Sequence, residues 1–189
     1  MRIALYFGSF NPVHQAHLII ASHVVSHCPV DQVWFVLSPQ NPLKESRSLL
    51  NEQHRLHLLR LAVENDSRFR VSDIEFRLPR PSYTIDTLLH VKEKYPAHQF
   101  SVLMGSDSFS NITRWKNYSQ LLQENDIIVY ERPGFEVPLS LSRRIQIVQA
   151  PMLDVSSTLI RKLIAEKKSI RYLVPDAVRE HIEANHYYQ

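Results

Sequence analysis

A chain of 189 residues with 44% hydrophobic and 22% charged side chains has the makeup of an ordinary globular protein, long enough to bury a core without disulfides or a structural metal. Its net charge of +3 is spread over 22 basic and 19 acidic residues, and without a concentrated basic face nucleic acid is not an expected partner. Cys28 stands alone, which excludes a disulfide framework and a thiolate metal site.

In chain order, residues 3–7 read as a buried strand, followed by the loop Gly8-Ser9-Phe10-Asn11-Pro12 and a helix over 15–27. This opening run is too short and too soon interrupted for a signal peptide, and no apolar run approaches membrane-spanning length, so the cytoplasm is the expected compartment. A second strand covers 33–37 and stops at Ser38-Pro39. Residues 39–48 are polar and proline-containing, a loop large enough to close over a ligand. Leu56, Leu59, Ala62 and Val63 mark a helix within 51–65, and residues 69–76 are strand-like.

Ile85, Leu88, Leu89 and Val91 mark another helix. Strands are predicted at 100–104, 127–130 and 145–148, and helices at 156–167 and 175–185, the last with Pro175 near its first turn, where a missing N–H costs little. Apolar runs alternating with helical patterns predict an α/β fold, a doubly wound parallel sheet with C-terminal helices. We read residues 1–189 as a single domain whose part from about 156 onward is helical. In such a sheet ligands lie beyond the carboxyl ends of the strands, here the loops after Phe7, Leu37 and Met104.

The most informative segment is the strand, glycine loop and His14-x-x-His17 at a helix start. Glycine at a strand end lets backbone approach a phosphate, and the following helix start offers N–H groups and a positive dipole end. Imidazole can donate a strong hydrogen bond to a developing oxyanion. An isolated pair of this spacing is also compatible with a zinc pair or a surface pair, but a metal needs a third ligand that no sequence feature supplies. Far downstream, Val155-Ser156-Ser157-Thr158-Leu159-Ile160-Arg161 opens a helix with capping hydroxyls and an arginine one turn in.

Residues 8–17 resemble the Gly-(Thr/Ser)-Phe-(Asp/Asn)-Pro-x-His-x-Gly-His signature of the nucleotidyltransferase superfamily, and residues 155–161 resemble the Ile-Ser-Ser-Thr-x-Ile-Arg motif of its adenylyltransferases. That resemblance implies a Rossmann-like nucleotidyltransferase fold. It also implies that His14 and His17 contact ATP phosphates and stabilise the transition state while Arg161 grips the β- and γ-phosphates. Residues 81–88, Pro-Ser-Tyr-Thr-Ile-Asp-Thr-Leu, together with Gly105-Ser106-Asp107, Trp115 and the turn Glu131-Arg132-Pro133-Gly134, resemble the bacterial nicotinate-mononucleotide adenylyltransferases, so the likeness runs over nearly the whole chain.

The resemblance implies an ATP site made by Gly8, Ser9, Phe10, His17, Gly105, Asp107, Ser156, Ser157, Thr158 and Arg161, with His14, His17 and Arg161 catalytic. It implies a mononucleotide site made by Lys44, Tyr83, Thr84, Trp115 and Arg132, with Lys44 reaching phosphate from its loop. Tyr83 and Thr84 at a helix start can present donors to a carboxylate, and Trp115 offers a face for a pyridinium ring. The implied reaction joins nicotinate mononucleotide to the AMP moiety of ATP, with Mg²⁺ carried on the ATP phosphates and no dedicated protein metal site. The partners are these small molecules, with no nucleic acid or membrane, and a homo-oligomer stays open. Alternatives are the nicotinamide-mononucleotide or phosphopantetheine adenylyltransferases, or a nucleotide-binding protein without turnover.

Overall fold

The computed structural model of the chain describes residues 1–40 and 49–189. Its strands are β1 (Arg2–Gly8), β2 (Gln32–Leu37), β3 (Phe69–Ser72), β4 (Gln99–Gly105), β5 (Asp126–Tyr130) and β6 (Ile145–Val148), and its helices are α1 (Gln15–His27), α2 (Glu52–Val63), α3 (Thr84–Lys94), α4 (Ser106–Phe109), α5 (Tyr118–Glu124), α6 (Ser157–Ala165) and α7 (Asp176–Ala184). The strands form one sheet in the order β3-β2-β1-β4-β5-β6, and every neighbouring pair is parallel.

The strands are apolar almost throughout because both faces of the sheet are covered. Alternate side chains go to opposite faces. Ala4, Tyr6, Val33, Phe35 and Leu37 enter a core closed by α1, α2, α6 and α7. Ile3, Leu5, Trp34 and Val36 enter a second core closed by α3 and α5. Register follows the same parity: Tyr6 lies opposite Phe35 and Leu103, and Leu5 opposite Trp34 and Val102. Phe35 has no exposed surface, so truncation to Ala would cost about 3–5 kcal/mol through the cavity left behind.

The chain leaves β1 for β2 on one side and later crosses to β4 on the other. The order therefore reverses at β1, and a crevice opens beyond the ends of β1 and β4.

Two expectations are corrected. Residues 69–76 are not one strand: β3 stops at Ser72, the last residue paired with β2, and Ile74–Arg77 form a 3₁₀ turn. Leu37, the last residue of β2, pairs with none of residues 73–76. The Phe76 and Leu78 N–H groups donate instead to the carbonyls of Asp73 and Glu75. The helix expected to reach Lys167 stops at Ala165, because Lys167 takes a left-handed φ of 55° and closes the helix end through its N–H to the Ile164 carbonyl. Among the described residues no helix is long and apolar enough to cross a membrane.

Candidate active site

The loop after β1 is shaped by its own aromatic ring. Phe10 adopts φ of 41°, uncommon for a residue with a side chain, and its ring is buried among Tyr6, His17 and Phe35. A Cβ on Gly8 would stand 2.8 Å from the Phe10 ring. Glycine is thus required here by the folded-back ring, a reason beyond the phosphate approach expected from sequence.

His14 is the extended residue that begins α1, and its N–H donates to Nδ1 of His17 at 3.2 Å. The two rings stack with centroids 3.7 Å apart. His14 is 3% exposed; burial, and then the Arg132 cation, lower its pKa to about 4. The first histidine is therefore neutral near pH 7 and offers one N–H and one lone pair.

The far end of the chain closes over this loop. The Ser156 hydroxyl accepts from the Leu159 N–H at 3.1 Å and caps α6. The Ser157 hydroxyl donates to the Pro12 carbonyl at 2.8 Å, and Arg161 donates to the Asn11 carbonyl at 2.7 Å and the Thr158 hydroxyl at 3.3 Å. Asn11 is a hub: its side-chain oxygen accepts from the Leu50 N–H and from the Tyr188 hydroxyl. The capped start of α6 turns its remaining N–H groups, and its dipole, toward the same crevice as α1.

Across the crevice, β4 ends at Gly105 and α4 begins with Ser106 and Asp107. A Cβ on Gly105 would collide with the Asp107 carboxylate and lie 2.9 Å from the Tyr130 ring. The Ser106 hydroxyl accepts from the Arg132 N–H at 2.8 Å, fixing the turn that Gly134 completes at φ of 84°. Asp107 Oδ1 stands 3.5 Å from Arg132 Nε, too loose for a hydrogen bond, and neither atom has another partner among the described residues. Arg132 also donates to the Tyr130 hydroxyl, which accepts from that of Tyr6. Burial, then the neighbouring Tyr130, push the Tyr6 phenol well above its ordinary range.

The third wall is the start of α3, where Tyr83 is the capping residue and Thr84 the first helical one. Lys116 stands over the Tyr83 ring at 5.0 Å and pairs with Asp86 at 2.7 Å, and the half-buried Trp115 follows a 3₁₀ turn beside it. Beneath lies Glu75, 2% exposed, accepting from the hydroxyls of Ser82 at 2.7 Å and Thr87 at 2.9 Å. Burial raises the Glu75 pKa, partly offset by those hydroxyls.

Gly8, Ser9, Phe10, His14, His17, Tyr83, Thr84, Gly105, Asp107, Trp115, Arg132, Ser156, Ser157, Thr158 and Arg161 all line one cavity of about 640 Å³ at this crevice. Lys44 lies outside the described residues. Sequence reasoning missed Glu75, Tyr6 and Tyr130 in the lining. Glu75 had little local signal, since residues 69–78 mix apolar with charged side chains, a second acid Asp73 among them. Among the described residues no group of three or more His, Cys, Asp or Glu could hold a metal ion.

A sheet of this order with its ligand crevice at the reversal defines a nucleotide-handling α/β fold, and a family model described as cytidylyltransferase-like matches residues 5–163. Over its whole length the chain is 46% identical across 192 residues to a protein of Flavobacterium johnsoniae, with all of both chains covered. It is 46% identical across 189 residues to one of Cytophaga hutchinsonii, covering 100% of this chain and 98% of that one. Both are described as "Probable nicotinate-nucleotide adenylyltransferase". The chain belongs to the nicotinate-nucleotide adenylyltransferase family, within the cytidylyltransferase-like group. Its fold is that of the Plasmodium falciparum nicotinic acid mononucleotide adenylyltransferase complexed with NaAD, at a TM-score of 0.84 and 23% identity, covering 99% of this chain and 97% of that one.

Proposed function

We propose that the chain joins nicotinate mononucleotide to the AMP moiety of ATP, giving deamido-NAD and pyrophosphate in NAD biosynthesis. The observation that carries this reading is the convergence of segments 8–17, 82–84, 105–115 and 156–161 on one crevice. They come from distant parts of a chain whose full-length relatives are named for that activity.

A phosphate oxygen of the mononucleotide attacks the α-phosphorus of ATP, a P–O bond forms, and the bond from that phosphorus to the bridging oxygen breaks as pyrophosphate leaves. The nucleophile is already anionic at neutral pH, so no general base is needed. Catalysis rests on alignment and on stabilising charge as it develops. His14 and His17 donate to the α-phosphate oxygens, and Arg161 holds the β- and γ-phosphates beside the N–H groups that begin α6. Gly8, Ser9 and Phe10 supply the backbone against which the phosphates lie, and Ser156, Ser157 and Thr158 hold the adenylate. Gly105 keeps the strand end narrow while Asp107 accepts from ribose hydroxyls. The loose Asp107–Arg132 pair supports this role, since both atoms retain hydrogen-bonding capacity.

For the acceptor, Tyr83 and Thr84 present donors to the nicotinate carboxylate, Trp115 stacks on its ring, and Arg132 and Lys44 take its phosphate. Mg²⁺ on the ATP phosphates would supply charge neutralisation. The donor set fits an ion carried by the nucleotide rather than caged by protein, since Asp107 faces Arg132 and Glu75 faces hydroxyls.

The test is pyrophosphate release from ATP with nicotinate mononucleotide, nicotinamide mononucleotide and phosphopantetheine side by side. Release with the first, at a kcat/KM at least about tenfold above the others, is expected. Release with the amide alone would move the substrate assignment, and no release with any of them would remove the catalytic reading.

A further inference from the structure

Arg55, on the first turns of α2, is 1% exposed and among the largest fully buried side chains of the chain. Among the described residues its guanidinium makes four hydrogen bonds, all to main-chain carbonyls: Leu50 at 2.8 Å, Ser9 at 2.7 Å, Ser38 at 2.9 Å and Pro39 at 2.8 Å. Among the described residues no carboxylate pairs with it. Glu52, the acid whose charge reaches it, is held by Arg80 at 2.7 Å. Burial lowers the Arg55 pKa to about 10, which still leaves it a cation near pH 7.

Burying an arginine opposite neutral carbonyls is a costly way to fill a core, since a well-packed apolar side chain of the same volume serves stability as well or better. The carbonyls it holds are telling. Ser9 follows β1 and Ser38 and Pro39 follow β2, the strand ends that border the crevice, and Ser9, Phe10, Ser38 and Gln40 line the cavity. In a planar trans peptide the N–H points opposite to the carbonyl. Drawing the Ser9 and Pro39 carbonyls onto Arg55 turns the N–H groups of Phe10 and Gln40 away from it. Among the described residues no backbone acceptor takes either one.

We infer that Arg55 is a positioning residue for the triphosphate: it welds the loops after β1 and β2 together so that their N–H groups face the incoming phosphates, and it sets an uncompensated positive charge behind them. It touches no substrate. Its action falls on ATP through the backbone N–H groups it orients, whereas the acceptor's phosphate is taken by the side chains of Lys44 and Arg132, and among the described residues Arg55 makes no hydrogen bond to the acceptor wall at Tyr83 and Trp115. The inference rests on the reading of this crevice as an ATP site.

The experiment measures KM for ATP, KM for nicotinate mononucleotide and kcat on the full chain for the parent, Arg55→Gln and Arg55→Lys, with circular dichroism to establish folding. Gln keeps part of the hydrogen bonding and loses the charge; it is expected to raise KM for ATP at least about tenfold and leave that of the mononucleotide within about threefold. Lys keeps the charge with fewer, unforked donors and is expected to restore most of the loss, with KM for ATP about threefold to fivefold above the parent. If Arg55→Gln does not fold, Arg55→Lys decides alone: an ATP-selective rise supports the inference. Equal shifts in both KM values, or no shift in either, overturn it. Absence of pyrophosphate release by the parent would instead overturn the functional reading, and the two failures are told apart by that control.

Discussion

The rings of His14 and His17 lie 3.7 Å apart, and the backbone N–H of the first donates to Nδ1 of the second. An imidazolium has no lone pair with which to accept, so this bond makes His17 neutral and puts its proton on Nε2. The helix start proposed to hold the phosphates thereby also sets the tautomer of the side chain proposed to donate to them.

Replacing His17 by Ala removes that donor and the ring that seats Phe10. We expect kcat to fall about 10²–10³-fold, the usual cost of deleting one oxyanion donor, with KM for nicotinate mononucleotide within about threefold. Steady-state pyrophosphate release checks this. Turnover within about threefold of the parent would remove His17 from the mechanism.

His14 makes stability depend on pH. Its folded pKa of about 4 lies below the unfolded value of about 6.5, so on acidification the unfolded chain takes up a proton that the fold refuses. Stability contributed by the neutral ring is intact above about pH 6.5. It declines by about 3 kcal/mol toward pH 4 and levels off below. Urea unfolding at about pH 7, 5.5 and 4 measures the loss, and His14→Gln is expected to flatten it. An equal slope in that variant would place the titration elsewhere.

Glu75 ties the Ser82 and Thr87 hydroxyls together under the start of α3. Glu75→Gln preserves the shape and lets the hydroxyls rotate to suit an amide, and KM for the mononucleotide should stay within about threefold. Glu75→Ala removes the acceptor of the half-buried Ser82 hydroxyl and leaves the buried Thr87 hydroxyl only its longer bond to the Tyr83 carbonyl, a loss of about 1–3 kcal/mol, and should raise KM for the mononucleotide more than that for ATP. Because its folded pKa is raised, ionisation opposes folding as pH rises past the ordinary glutamate range. Glu75→Gln should therefore weaken the fall of stability above that range. Thermal melts across pH, alongside the kinetics, decide it.

Gly105→Ala inserts a methyl against the Asp107 carboxylate and the Tyr130 ring. Tyr130 is 4% exposed and cannot swing away freely, so we expect a loss of about 1–3 kcal/mol from overpacking and a raised KM for ATP as Asp107 shifts. Denaturant midpoints and ATP kinetics read the two effects separately; a variant unchanged in both would contradict the close approach.

The parts of the site legible in sequence were those whose geometry is local. Residues 8–17 and 156–161 each carry their own strand end or helix cap, and neighbouring residues satisfy it. The buried charges were hidden because their partners are distant or are main-chain atoms. Arg55 bonds to carbonyls, which leave no trace in residue type. Glu75 sits in a 3₁₀ turn just past β3, and the hydroxyls it meets come from Ser82 and Thr87, contacts set by tertiary structure rather than by its sequence neighbours. Short elements were lost too. α5 spans seven residues and contributes the adjacent pair Leu121 and Leu122, too brief for helical periodicity to show.

The bonds from Ser157 and Arg161 to the carbonyls of Pro12 and Asn11 join segments 145 and 150 residues apart. Translated into the order of synthesis, a chain still leaving the ribosome has made His14, His17 and all six strands of the sheet before the arginine that closes over the signature loop exists. A nascent chain halted before Ser156 lacks α6 and α7, which close one face of the sheet, as well as Arg161. On the proposed reading of the crevice, competence arrives with the last helices rather than growing as the protein lengthens.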